Sequence, residues 1–215
     1  MMSKSEVYII GGVREGERSI TCEVITPSGE VTKLRMTKKL WEKYAFCAAD
    51  TVDSDVYCEM KRDSEICEAT SRAAALVADT PHSSAALFTK LKQKGFSDEA
   101  AETAVSVLLR RGFIDEATQA REIAERMAKT KNRGPVRIAA ELRGKGYPAD
   151  VAEEAVKSVC DSVYDEALRA ALAKKAKGGI PEDKKERDKL ISSLLRLGFS
   201  TSKIINMMKS FDGEL

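Results

Sequence analysis

A glycine followed by an aromatic ring closes an amphipathic run three times in this chain. The copies are Leu87-Phe-Thr-Lys-Leu-Lys-Gln-Lys-Gly-Phe96, Arg137-Ile-Ala-Ala-Glu-Leu-Arg-Gly-Lys-Gly-Tyr147 and Lys189-Leu-Ile-Ser-Ser-Leu-Leu-Arg-Leu-Gly-Phe199. Gly95, Gly146 and Gly198 are spaced 51 and 52 residues apart, and the apolar positions around them fall into register. Leu91, Leu142 and Leu194 lie four residues before the glycine, and Leu87, Ile138 and Leu190 lie eight before, which is one face of a helix. Val105, Val156 and Met208 follow ten residues after it, and Leu108, Val159 and Phe211 thirteen after, forming the face of a second helix. A recurring period of this length is the mark of stacked helical units.

The glycine has a mechanical role in this pattern. A helix commonly ends on a residue in the left-handed region, which glycine enters without a Cβ penalty, and the next side chain packs back on the last turn. Phe96 on Leu91, Tyr147 on Leu142 and Phe199 on Leu194 are the expected contacts. The segments after them, Ser97-Asp-Glu99, Pro148-Ala-Asp150 and Ser200-Thr-Ser202, suit the start of a new helix. A further helix is expected ahead of each pair, because Ile66-Cys-Glu-Ala-Thr70, Ile114-Asp-Glu-Ala-Thr118 and Tyr164-Asp-Glu-Ala-Leu168 share an opening. In the middle unit Gly134 and Pro135 stand where a helix cap and first turn accept them.

The pattern predicts a mainly α fold of three tandem three-helix repeats in an elongated array, over residues 57–112, 113–162 and 163–215. Residues 1–56 read differently. Val7 and Ile9, then Ile20, Cys22 and Val24, then Thr32, Leu34 and Met36 alternate with polar neighbours, with turn residues at Arg14–Glu17 and Pro27–Glu30. That is a three-stranded antiparallel meander, and three strands are about the minimum for independent stability. Support is expected from a following short helix carrying Leu40, Trp41, Tyr44 and Phe46. Gly11-Gly12 lacks the spacing of a phosphate loop and reads as a turn or bulge.

Function classes narrow by exclusion. No apolar run reaches membrane-spanning length and the start does not resemble a signal peptide, so a cytoplasmic location is expected. Cys22, Cys47, Cys58, Cys67 and Cys160 contain no Cys-x-x-Cys pair and read as reduced thiols in small core sites. His82 is the only histidine, which leaves a Cys/His nucleophile or a zinc site poorly supplied. Neither a metal nor a cofactor is expected. Asp115-Glu116 and Asp165-Glu166 sit where acids favour a helix N-terminus, and no catalytic constellation stands out.

Basic residues are the stronger lead. Total charge is nearly balanced, with 36 Lys and Arg against 34 Asp and Glu. Yet residues 121–147 hold Arg121, Arg126, Lys129, Lys131, Arg133, Arg137, Arg143 and Lys145 against only Glu122, Glu125 and Glu141. Lys90, Lys92, Lys94, Arg110 and Arg111 lie in the first repeat, and Lys174, Lys175, Lys177, Lys184, Lys185 and Arg187 in the third. Such a stripe neutralises phosphates without reading base sequence. The competing reading is a solvated face, with Arg121 and Arg126 pairing with nearby glutamates.

The middle repeat carries a family likeness. Leu109-Arg-Arg-Gly-Phe-Ile-Asp-Glu116, Ala120-Arg-Glu-Ile123 and Arg133-Gly-Pro-Val-Arg-Ile-Ala-Ala-Glu-Leu-Arg-Gly-Lys-Gly-Tyr147 resemble the RecX family of bacterial regulators of the RecA recombinase. Ser84-Ala-Ala-Leu-Phe-Thr-Lys-Leu-Lys-Gln-Lys-Gly-Phe96 fits the family's first repeat. The chain departs at Gln119-Ala120, where members usually have Phe-Ala, and at Pro81-His-Ser83, where a basic residue usually precedes the serine. The resemblance implies a non-enzymatic, mainly inhibitory modulator that binds along the RecA–DNA filament, with weak non-specific DNA affinity of its own; a monomer without a membrane partner is expected. Carried onto this chain, it points to Lys129, Lys131, Arg133, Arg137, Arg143 and Lys145 as filament or DNA contacts, then Lys92, Lys94, Arg110, Arg111, Lys184 and Lys185. Two other classes fit the residues alone: a freestanding DNA-binding architectural or transcriptional protein with a helix in the major groove, and a protein-binding helical scaffold.

Overall fold

The structure, a computed structural model, describes residues 6–176 and 179–211, without the side chain of Phe211. Lys177 and the Phe211 side chain therefore lie outside the described residues. The chain divides into two compact units: one runs to His82 and resumes over Leu87–Ile114, and the other joins Ser83–Ala86 to the chain from Asp115 onward.

The first unit begins with a meander of β1 (Tyr8–Glu15), β2 (Ser19–Ile25) and β3 (Val31–Thr37). A two-residue strand β4 (Thr51–Val52) adds to the β1 side, giving the antiparallel order β3-β2-β1-β4. The period-two pattern of β2 and β3 sends Cys22, Val24, Leu34 and Met36 to one buried face, but β1 takes the opposite phase from the one expected: Tyr8 and Ile10 are buried, and Val7 and Ile9 are exposed. Ile20 pairs with Met36 and Cys22 with Leu34 across β2 and β3. The β1–β2 register shifts between Ile10 and Gly12, so Gly11 marks a β-bulge, and a Cβ there would stand 3.2 Å from Ile25 Cγ1.

What covers the sheet differs from the expectation. The helix after β3, α1, spans only Lys38–Trp41, and Ala45 takes φ +50°, left of any helix that could continue. All four apolar residues still pack on the sheet core, Leu40 and Trp41 from α1 and Tyr44 and Phe46 from the turn after it. The main cover is α2 (Ser54–Asp79), whose N-terminal half brings Tyr57 and Met60 onto the sheet. Tyr57 stacks on Tyr8 with ring centroids 4.1 Å apart, and Ser64 Oγ accepts the Arg35 backbone N–H at 2.7 Å. The C-terminal half of the same helix turns to another core, where Ala69 and Ala73 pack with α3 (Ser84–Gln93) and α4 (Asp98–Arg110). Ile66-Cys-Glu-Ala-Thr70 is thus mid-helix and opens nothing.

Two more clusters follow the same plan. Ala124, Ile138, Leu142, Tyr147 and Ala152 gather α5 (Glu116–Lys131), α6 (Pro135–Gly144) and α7 (Ala149–Ser158). Leu168, Leu172, Leu194, Phe199 and Ile204 gather α8 (Asp161–Lys175), α9 (Lys184–Leu195) and α10 (Thr201–Phe211). The register read from the glycines holds in burial: Leu87, Ile138, Leu91, Leu142 and Leu194 are fully buried.

Gly95, Gly146 and Gly198 adopt φ of +92°, +85° and +94°. Phe96 N–H donates to Leu91 O at 3.3 Å and Tyr147 N–H to Leu142 O at 3.2 Å, the bond that closes a left-handed helix end. Within the second unit these turns also join modules. Gly146 meets the N-terminus of α3, where Ser83 Oγ donates to Lys145 O at 2.7 Å and accepts from Ala86 N–H at 3.2 Å. The Gly198 turn meets the N-terminus of α6: Gly134 N–H donates to Leu197 O at 2.8 Å and Val136 N–H to Gly198 O at 3.2 Å. Gly134 has an ordinary φ of −84° and no side-chain cap, so the neighbouring turn supplies acceptors that a cap would otherwise provide. A Cβ on Gly134 would fall 2.5 Å from the Gly198 carbonyl, which explains the residue type.

Two readings of small polar residues need correction. Of the cysteines only Cys22 is buried; Cys67 is half-buried, and Cys47, Cys58 and Cys160 are exposed, all with free thiols. Asp115 does cap α5, accepting Thr118 N–H at 3.0 Å, but Asp165 lies a turn inside α8, which begins at Asp161. Asp165 instead joins Asp161 in binding Lys203 Nζ, at 3.2 and 3.1 Å.

Candidate nucleic-acid interface

The densest basic segment is built on α5 and α6. The α5 stripe Ala120, Ala124, Met127 and Ala128 is buried, which leaves Arg121, Arg126, Lys129 and Lys131 on the exposed faces. Asn132 ends the helix in the left-handed region at φ +49°, returning its N–H to Met127 O. The chain then restarts at Gly134, and α6 buries Ile138, Ala139 and Leu142 while exposing Arg137 and Arg143. Lys145 follows at the C-cap, where a cation suits the helix dipole.

Part of this charge is compensated locally. Lys129 Nζ sits 2.5 Å from Glu125 Oε1, and this hydrogen bond lowers the Glu125 carboxyl and raises the Lys129 ammonium from their ordinary values. Glu141 serves two partners, Arg137 at 2.8 Å and Arg133 at 3.7 Å. Arg133 is the least exposed of the group, and its Nε is buried without a hydrogen-bond partner. Arg121 and Arg126, expected to take up the glutamates, make no ion pair among the described residues. Nor do Lys131, Arg143 and Lys145, which are exposed. Five exposed cations of α5 and α6, Arg121 and Arg126 among them, are thus left without an ion-pair partner among the described residues.

The other candidates separate by unit. Lys92, on α3 of the first unit, is held by Asp98 at 2.8 Å, whereas Lys94, Arg110 and Arg111 are exposed and make no ion pair among the described residues. Lys184 and Lys185 of the second unit occupy the first turn of α9, where the helix dipole disfavours cations and Asp183 compensates by accepting Glu186 N–H at 3.1 Å. His82 contacts Thr80 Oγ1 at 3.2 Å and Lys90 Nζ at 3.1 Å; burial and then the Lys90 charge press its pKa down.

Phe113, part of the Leu109–Glu116 stretch, has an exposure that its place in the sequence pattern does not announce. Its backbone closes the α4 end as Phe96 closes α3, with N–H to Leu108 O at 3.0 Å, yet its ring is 58% exposed beside Arg110 and Arg111. Leu109, 41% exposed, adds to an apolar and cationic patch at the end of α4. What distinguishes Phe113 is the apolar residue after it: Ile114, not Phe113, enters the core here.

No family model matches the chain. Individual relatives do. A regulatory protein RecX of Prosthecochloris aestuarii is 34% identical over 147 residues, covering 66% of this chain and 92% of the relative. Another, from Chlorobaculum tepidum, is 32% identical over 146 residues, covering 68% and 89%. Among solved structures, a crystal structure of regulatory protein RecX superposes with a TM-score of 0.76 at 17% identity, over 94% of this chain and 99% of that one. RecX from Lactobacillus salivarius superposes with a TM-score of 0.63 at 21% identity, over 69% and 97%. The structures share the fold, and the sequence identity over nearly the whole length of its relatives goes further: this chain belongs to the RecX family of regulatory proteins.

Proposed function

We propose that the protein is a non-enzymatic regulator, mainly an inhibitor, of the RecA recombinase, acting in the cytoplasm as a monomer on the RecA–DNA filament. It binds along the filament and restrains strand exchange, ATP hydrolysis and the co-protease activity that starts the DNA-damage response. Family membership carries the reading, and the exposed cations on α5 and α6 support it, because they suit a surface of closely spaced phosphates. Among the described residues no helix is long and apolar enough to cross a membrane.

The ion-pair pattern refines the contact set. Lys131, Arg143 and Lys145 stand first, since reversing Arg133 or Arg137 would also strip Glu141 of its partners and confuse a binding loss with a local rearrangement. The test is RecA's single-strand-dependent ATP hydrolysis at low salt, titrated with this protein. Inhibition near or below stoichiometric amounts is expected, and no effect across that range defeats the proposal. Arg143→Glu with Lys145→Glu should weaken filament binding and lower the salt dependence by about one phosphate contact each, with helical content unchanged.

A further inference from the structure

On the first unit, a cleft of about 850 Å³ opens beside β2, β3, α2 and the turn from α3 to α4. Arg18 reaches it from the β1–β2 bend, Arg35 from β3, Arg72 from α2 and Lys94 from the turn, against a single carboxylate, Glu68. All four cations are exposed. Among the described residues none makes an ion pair, not even Arg72 with Glu68 one helical turn away. Elsewhere on this unit several cations do find partners, as Lys33 does with Glu23 and Lys43 with Glu59, though Arg110 and Arg111 do not. Four uncompensated charges at one opening leave a local field that favours an anionic occupant.

The chemistry of the walls narrows the occupant. Met36, Cys67, Ala75 and Phe96 line the same cleft, so the cations stand around an apolar surface. Arg35 is fixed in place: its Nε donates to Ser19 Oγ at 3.1 Å and its backbone N–H to Ser64 Oγ at 2.7 Å. The latter bond closes the outer edge of β3 at this point, so an incoming strand cannot add there, and recognition falls to side chains. A single-stranded nucleic acid needs open aromatic faces for its bases. The one ring here, Phe96, is half-buried against the α2–α4 core, and beside it the uncharged lining is thioether, thiol, methyl and the hydroxyls of Ser19, Thr37 and Ser71. A peptide that alternates carboxylates with aliphatic or aromatic side chains uses both parts, forked guanidinium contacts for the acids and the apolar wall for the anchors.

We propose that this cleft binds an acidic, apolar-anchored peptide segment of a partner protein, with its carboxylates on Arg18, Arg35, Arg72 and Lys94. The site stands on the first unit alone and is independent of the RecA reading. The probe is a fluorescein-labelled short peptide in which Asp and Glu alternate with Leu and Phe, followed by fluorescence anisotropy on the full chain at low salt. A version with Ser replacing the acids and a labelled oligothymidylate are the comparisons. Binding of the acidic peptide is expected, weakened roughly tenfold or more by Arg35→Glu with Arg72→Glu. Lys94→Glu, on an exposed turn, should weaken it as well and guards against a folding defect in the double variant. Far-ultraviolet circular dichroism should be unchanged. The proposal is overturned if the acidic peptide does not bind, if the Ser peptide binds equally well, or if the substitutions leave it untouched. Oligothymidylate binding that is tighter than the peptide's and lost with the same substitutions would reassign the cleft to nucleic acid.

Discussion

Gly95 and Gly198 end helices at the same place in their repeats with φ of +92° and +94°, yet their surroundings are opposite. A Cβ on Gly95 would meet open space, whereas one on Gly198 would strike the backbone of Arg137. The first glycine is needed for conformation alone. The second is needed for conformation and for the approach of one module to the next. Gly134 completes the comparison: its φ is ordinary, so it is needed for approach alone. One residue type thus meets two separable demands, and the three positions isolate each of them.

Substitution by alanine should rank them. Gly198→Ala carries both penalties and is expected to destabilise the second unit by about 3 kcal/mol or more, combining left-handed strain with a backbone clash. Gly134→Ala meets only the clash, for about 1–3 kcal/mol. Gly95→Ala meets only the strain, for about 1–2 kcal/mol. Urea titration followed by circular dichroism orders the three, and hydrogen exchange on α6 and α9 shows whether the first two loosen the same junction. Equal losses at Gly95 and Gly198 would refute the distinction. The Gly134→Ala and Gly198→Ala pair should be less than additive, since either change already separates the same backbone contact.

Smaller effects come from caps that act through side chains. Asp183→Ala should cost about 1 kcal/mol by removing the acceptor for Glu186 N–H. At α5 the Thr118 N–H bond lowers the Asp115 carboxyl, so the unfolded chain takes up that proton at higher pH than the folded one. Its stabilisation is complete above the unfolded carboxylate value and fades as pH falls through the folded one. Asp115→Asn, which still accepts the bond, should flatten that acid-side loss with little change at neutral pH; an unaltered pH profile would rule the cap out as its source.

These contrasts also show what sequence patterns carry. The repeat was legible because buried Leu91, Leu142 and Leu194 and the following turns obey local rules of spacing and conformation. The short helix expected after β3 is present but stops at Trp41, short of Tyr44 and Phe46, because Ala45 takes a left-handed φ, a tertiary choice that alanine does not advertise. The full length of α2 was hidden because one half of it answers to the sheet and the other to α3 and α4. In the basic segment the charges were visible, but not that Glu141 takes both Arg133 and Arg137 and leaves Arg143 and Lys145 without ion pairs. Arg18, Arg35, Arg72 and Lys94 are scattered along the chain and meet only through the fold.

The contrast between Gly134 and Asp183 bears on how such a chain can grow. The helix that starts after Gly134 depends on the next module's turn for its acceptors, while the helix that starts after Asp183 brings its own. A duplication that inserts a copy of the middle module ahead of the third would keep a glycine at each new joint and could dock at once. A copy appended behind the third would arrive at a joint already closed by a carboxylate. Internal duplication therefore repeats a joint that already docks, whereas a copy behind the third module would meet a carboxylate that, unlike the Ser83 hydroxyl, has no proton to donate to the carbonyls of the incoming turn.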